Sequence, residues 1–259
     1  MEEFSTYTLS NGIRCIHRQA KGSVAHCALV VGAGTRDEAA GEFGLAHFTE
    51  HGLFKGTAKR KAWQVNCRLE NLGGELNAFT TKEDTTLHAT VLRSDFTKAV
   101  ELLGDVLFCS TFPDRELERE KEVIYDEINT YKDAPAELIY DTFEDLIFAS
   151  SELGHNILGR KANIARFTSE TVQRFVARCY TTDQISFRRL ATSRSRWLVL
   201  PPSVTWVTIL PPLVNTAAKR AFVRPLSTKP STAIPTKHTA SSAVRPTTSR
   251  TRNAWLLRC

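Results

Sequence analysis

His47-Phe48-Thr49-Glu50-His51 sets two histidines four residues apart. On a helix that spacing projects both imidazoles from nearly the same face, where they can chelate one metal ion through ring nitrogens. The stretch around residues 43–54 is therefore read as a helix, and the chain on either side is read outward from it. Glu50 stands one residue before the second histidine. Its carboxylate falls beside a metal held by the pair, where it can take a proton from water whose pKa the ion has lowered.

Upstream, Gly32, Gly34 and Gly41 mark a loop leading into that helix, and residues 24–31 form a strand. Residues 4–9 and 13–18 flank Asn11-Gly12, the dipeptide that best tolerates the positive φ angles of a type I′ turn, so the chain opens with an antiparallel hairpin. Downstream, a second helix over 62–72 stops at Gly73-Gly74. Residues 75–81 and 85–92 then alternate as strands do. Phe96, Val100, Leu103 and Leu107 share one helical face. Helices follow over 114–132, over 136–149 with Ile139, Phe143, Leu146 and Ile147 as its apolar stripe, and over 169–180, capped by Thr168 or Ser169. Strands and helices without regular βαβ alternation predict an α+β domain: an antiparallel or mixed sheet with helices packed on one face.

A tetrahedral metal that keeps one open position needs a third protein ligand. The acid-rich helix 114–132 offers Glu116, Glu120 and Glu127 on one face, while Glu118 and Glu122 point elsewhere. Arg115, Arg119 and Lys121 interleave with these acids, as on a solvated, salt-bridged helix. Spacing alone leaves both Glu120 and Glu127 as candidates.

The chain has 259 residues and a net charge of +6, but the charge is unevenly placed. Residues 1–183 hold all 28 acids and 21 of the 34 Lys+Arg. Residues 184–259 contain no acid, no glycine, 20 Ser+Thr and 8 of the 10 prolines. The basic excess thus describes the tail, and no nucleic-acid partner is expected for the domain. The expected organisation is a domain over 1–187 and a Ser/Thr/Pro/Arg-rich tail over 188–259, disordered or translated out of frame. Four prolines interrupt the apolar stretch 197–214, so no membrane span is expected. The start, Met1-Glu2-Glu3-Phe4, has no basic or apolar leader region, and cytoplasmic residence is the expectation. Six cysteines without a C-x-x-C pair read as reduced, mostly buried thiols.

Several blocks between residue 4 and about residue 187 resemble the inverzincin peptidases, the pitrilysin and insulinase family that includes the mitochondrial processing peptidase. They are Leu9-Ser10-Asn11-Gly12-Ile13, Gly32-Ala33-Gly34-Thr35-Arg36-Asp37-Glu38, the run from Gly44 through His47-Phe48-Thr49-Glu50-His51 to Thr57, the run from Leu72 through Asn77-Ala78 to Thr80, and Glu118-Arg119-Glu120-Lys121-Glu122-Val123-Ile124 with Glu127. The family's third ligand lies 76 residues after the second histidine, and Glu127 stands at that interval. The resemblance implies that His47, His51 and Glu127 bind one Zn²⁺ and that Glu50 is the general base. It implies that Glu120 orients a ligand imidazole from behind. It also implies that Asn77 and Ala78 lie on a strand edge where a peptide or unfolded protein substrate adds as another strand.

Family members enclose the substrate between two similar domains, in one chain or in paired subunits, and this chain matches only the first. A second domain or subunit is therefore an expected partner, and the expected function is a zinc endopeptidase or its metal-carrying half. The competing expectation is a catalytically silent structural or assembly subunit on the same fold. His17, His26, His88, His155 and His238 show no ligand spacing, and neither a nucleophilic triad nor a phosphate-cradling loop is present.

Overall fold

The computed structural model describes residues 4–191 apart from Ser150. The tail from residue 192 onward, with the stretch 197–214, His238 and Cys259, lies outside the described residues. In chain order the elements are β1 (Phe4–Thr8), β2 (Arg14–Gln19), β3 (Val24–Val31), α1 (Leu45–Leu53), α2 (Ala62–Glu70), β4 (Glu75–Thr80), β5 (Thr85–Leu92), α3 (Phe96–Cys109), α4 (Asp114–Lys132), α5 (Pro135–Ile147), α6 (Lys161–Ile164), α7 (Ser169–Cys179) and β6 (Ile185–Ala191).

The strands form one mixed sheet in the order β1-β2-β6-β3-β5-β4. Every pairing is antiparallel except β2 with β6, which is parallel from Arg14↔Ser186 to Gln19↔Ala191. The final strand thus enters the middle of the sheet, and it runs to Ala191, four residues past the boundary expected at 187.

Alternation decides which side of the sheet is covered. Ala25, Cys27, Leu29 and Val31 of β3, with Leu87, Ala89 and Val91 of β5 and Ile185 and Phe187 of β6, are buried against the helices. All four apolar residues that share a face of α3, Phe96, Val100, Leu103 and Leu107, join this core. Each such side chain removed from water contributes roughly 1.5–3 kcal/mol.

Two local expectations are corrected. The turn at Asn11-Gly12 is not type I′: only Gly12 has positive φ, at 95°, and strand pairing ends at Thr8↔Arg14. Leu9 N–H instead donates to Ile13 O across a longer loop, while the buried Asn11 side chain accepts from Ile13 N–H at 3.2 Å. A side-chain acceptor has displaced the tight two-residue turn. On α5 the stripe exists but is not covered by the described residues: Ile139, Phe143 and Leu146 are 63%, 61% and 74% exposed. Periodicity reports an apolar face, not what packs against it.

Thr168 is the cap of α7, its Oγ1 accepting from Thr171 N–H at 3.3 Å. Thr168→Ala is expected to destabilise the chain by about 1 kcal/mol, read as a lower urea midpoint at unchanged slope.

Candidate metal centre

Helix α1 carries His47 and His51 one turn apart, their rings edge to face with centroids 4.5 Å apart. Its buried Leu45, Phe48 and Leu53 fasten it to the core, with Phe48 against Phe167 of the loop before α7. Helix α4 packs against α1 and buries Leu117, Ile124 and Ile128; Glu120 and Glu127 lie on the flank beside that apolar face, turned toward the histidines. Glu127 Oε2 lies 3.6 Å from His47 Nε2 and 3.8 Å from His51 Nε2.

The three side chains offer ligand atoms that all lie within 4.8 Å of one another. Tetrahedral ligands on bonds of about 2.0–2.1 Å sit about 3.3 Å apart, so the two carboxylate–imidazole distances would close around a small cation with shifts of a few tenths of an ångström. One observation bears directly on the fit. Glu127 Oε2 and His47 Nδ1 are out of contact with solvent and have no hydrogen-bond partner. Leaving a buried carboxylate oxygen unpaired costs free energy, and a cation between Glu127 and the imidazoles would offset that cost. Imidazole nitrogen and carboxylate oxygen form a donor set suited to zinc.

Glu120 is absent from that trio. Its Oε1 lies 2.8 Å from His51 Nδ1, and its Oε2 pairs with Lys55 Nζ at 2.5 Å. The carboxylate therefore engages the His51 nitrogen that faces away from Glu127. Glu116, on the same helix face, pairs with Arg119 instead.

Glu50 is buried, and its Oε2 accepts from Thr80 Oγ1 at 2.7 Å. Thr80 ends β4, which lies at one end of the sheet and pairs only with β5 among the described residues. Asn77 and Ala78 sit on that terminal strand, with Ala78 N–H donating to Asn77 Oδ1 at 2.8 Å. One strand thus carries both the free edge and the group that fixes Glu50.

Burial, together with the nearby His51 charge, holds the His47 imidazole well below its ordinary range and therefore neutral. For Glu50, burial and the Glu127 charge push the carboxyl up, against the pull of His51 and Thr80. Burial likewise raises Glu127, helped by Glu120 and opposed by His51. His51 goes the other way from His47. Burial lowers it, but the hydrogen bond to Glu120 and the charges of Glu50, Glu120 and Glu127 outweigh that and raise it. Glu120 is lowered, because its bonds to His51 and Lys55 outweigh its burial. The result is a neutral imidazole at His47, a buried carboxyl at Glu50 raised above its ordinary range and a carboxylate at Glu120 kept charged, an arrangement able to move a proton beside a bound cation.

Three contributors escaped sequence reading. Lys55, Thr80 and Glu38 all lie inside the motif blocks quoted above, but single polar residues there carried no spacing signal. Among the other described histidines, His26 pairs with Thr90 and His155 with Glu38, and none of these joins the trio.

The family model for insulinase, Peptidase family M16, matches residues 15–161. An uncharacterized zinc protease of Bacillus subtilis is 35% identical over 181 residues, covering 69% of this chain and 44% of that protein. The mitochondrial-processing peptidase subunit beta of Dictyostelium discoideum is 35% identical over 217 residues, covering 83% of this chain and 46% of the relative. A protease structure from Helicobacter pylori superposes with a TM-score of 0.76 at 21% identity, over 84% of this chain and 52% of that one. The chain thus spans about half the length of the relatives it matches. Because the family model covers more than half of the chain, from within β2 to the start of α6, the chain belongs to the insulinase family of peptidases, Peptidase family M16.

Proposed function

We propose that this chain is the metal-carrying half of a zinc endopeptidase. His47, His51 and Glu127 would hold the ion, and Glu50 would be the general base. The observation that carries the reading is the buried, unpartnered Glu127 Oε2 aimed between the two imidazoles. The names of the zinc protease and processing peptidase relatives point the same way.

When bound, zinc would polarise the scissile carbonyl and lower the pKa of the attacking water. Glu50 accepts the proton of that water and passes it to the leaving amine, while Thr80 Oγ1 fixes its orientation. Glu120 holds His51 through Nδ1, so that Nε2 is the nitrogen presented to the ion. An extended peptide adds to the free edge of β4 at Asn77 and Ala78, which carries the scissile bond past Glu50.

The test is zinc content by metal analysis together with cleavage of an unfolded peptide, with and without a second half supplied as a separate chain. Absence of stoichiometric zinc from the purified chain would defeat the metal reading. Zinc without cleavage, even when the second half is supplied, would favour a silent assembly subunit, the reading prompted by the half-length match.

Zinc affinity should fall with acid. His51 has a raised pKa in the metal-free chain, so binding must displace its proton from a point above pH 6.5 downward. One displaced proton costs about tenfold in affinity per pH unit below that point. Folding stability of the metal-free chain responds oppositely: a raised imidazole stabilises the fold below its unfolded pKa, and that contribution is lost as pH rises through the folded value. Competition titrations with a chromophoric chelator between pH 5.5 and 8, and melts with chelator present, check the two slopes.

A further inference from the structure

Helix α1 begins without a capping side chain of its own. Its N-cap is Gly44, at φ 97°, and no side chain there accepts from the first turn. The helix spans only nine residues, and His47 is the third of them. A helix this short is marginal by itself, its first turn frays most easily, and here that turn holds a residue assigned to the metal.

The missing acceptor comes from outside the helix. Glu38 is buried and uses both carboxylate oxygens: Oε2 accepts from Gly44 N–H at 3.0 Å and Oε1 from Ala46 N–H at 2.8 Å. A carboxylate at this end also meets the positive pole of the helix. Glu38 is held in turn by His155, 117 positions along the chain, whose Nε2 lies 2.8 Å from Oε2. The His155 ring stacks on Phe43 at 4.2 Å, just before the N-cap, and its carbonyl accepts from Lys82 Nζ.

Backbone packing closes the same joint. A Cβ on Gly159 would come within 2.2 Å of Phe43 O and 2.4 Å of Gly44 Cα, and one on Gly44 within 2.8 Å of Leu158 O. The segment after α5 is therefore seated directly on the start of the histidine helix, with no room for a side chain between them.

We propose that Glu38 and His155 are positioning residues for the metal centre. Together they pin the first turn of α1, fixing where His47 points relative to His51 and Glu127. Loosening that turn leaves His51 and Glu127 in place but lets His47 swing, because His47 alone of the three sits in the uncapped turn. The inference rests on the proposed zinc site, and it adds residues that reach the ion only through backbone amides.

The experiment compares wild type, Glu38→Ala, Glu38→Gln and His155→Phe. Phenylalanine keeps the stack on Phe43 and removes only the bond to Glu38. Zinc affinity is read by chelator competition, and amide exchange at Gly44 and Ala46 is read on the metal-free chains. Glu38→Ala is expected to weaken zinc about 10–100-fold and to erase protection at the two amides while sheet amides keep theirs. Glu38→Gln, which retains one acceptor oxygen, recovers part of both, and His155→Phe falls between it and wild type. Should Glu38→Ala fail to fold, the glutamine and phenylalanine variants carry the comparison. Zinc affinity within twofold of wild type in every folded variant, or unchanged protection at both amides, overturns the clamp. Wild type that binds no zinc overturns the metal reading itself, a result distinct from a wild type that binds zinc and variants that bind it equally well.

Discussion

His47→Ala is expected to leave the chain without stoichiometric zinc. The loss should exceed the roughly 10–100-fold that follows removal of a group behind a ligand, since a ligand itself is gone and two donors remain. The variant should nevertheless fold. His47 is 7% exposed with an unpaired Nδ1, so alanine trades a small cavity against relief of an unsatisfied buried nitrogen, and the two effects oppose each other. Linkage gives the readout: an ion that binds only the folded chain raises its melting temperature. A chelator should lower the wild-type midpoint and leave that of His47→Ala unmoved. A variant that kept its zinc, or a wild type indifferent to chelation, would remove His47 from the site.

Glu50→Gln should separate binding from chemistry. The amide oxygen can still accept from Thr80 Oγ1, so the local geometry survives. The amide cannot take a proton at neutral pH. Zinc should stay at wild-type level while peptide cleavage, assayed with the second half present, drops by about 10²–10⁴-fold. Equal loss of zinc and cleavage would recast Glu50 as a ligand or a structural group. Cleavage near wild type would eliminate it as the base.

How much of this was legible depended on the distance over which each signal acts. The histidine pair is a local pattern, and a helix converts spacing directly into direction, so α1 could be located from five residues. β3 occupies the residues read as a strand, β5 the residues its alternation marked, and α3 buries the face its periodicity predicted. Glu127 was different, because Glu116, Glu120 and Glu127 share a helix face and no rule of spacing separates them. Only the interval carried by the family resemblance did so, and the structure puts Glu127, rather than Glu120, within 4 Å of both imidazoles. Glu38 and His155 had no signal at all, since a contact across 117 positions leaves no periodic trace. The turn at Asn11-Gly12 failed for the opposite reason. The dipeptide fits a tight turn, but the buried asparagine's own side chain accepts from Ile13 N–H two residues on, and that local bond displaced the two-residue turn.

The parallel seat of β6 between β2 and β3 also sets a timetable. As the chain leaves the ribosome, β2 is complete at residue 19, but its neighbour begins only at residue 185. At about 5–20 residues per second that gap lasts roughly ten to thirty seconds. Until it closes, the hairpin of β1 and β2 cannot join the β3-β5-β4 ladder, and α1 rests on an unfinished floor. Two unsatisfied strand margins face solvent or a chaperone for that interval. Slow codons between residues 93 and 184 would lengthen the wait and favour aggregation of the nascent chain, whereas the same codons near the 3′ end of the reading frame, read after β6 has left the exit tunnel, would leave it unchanged.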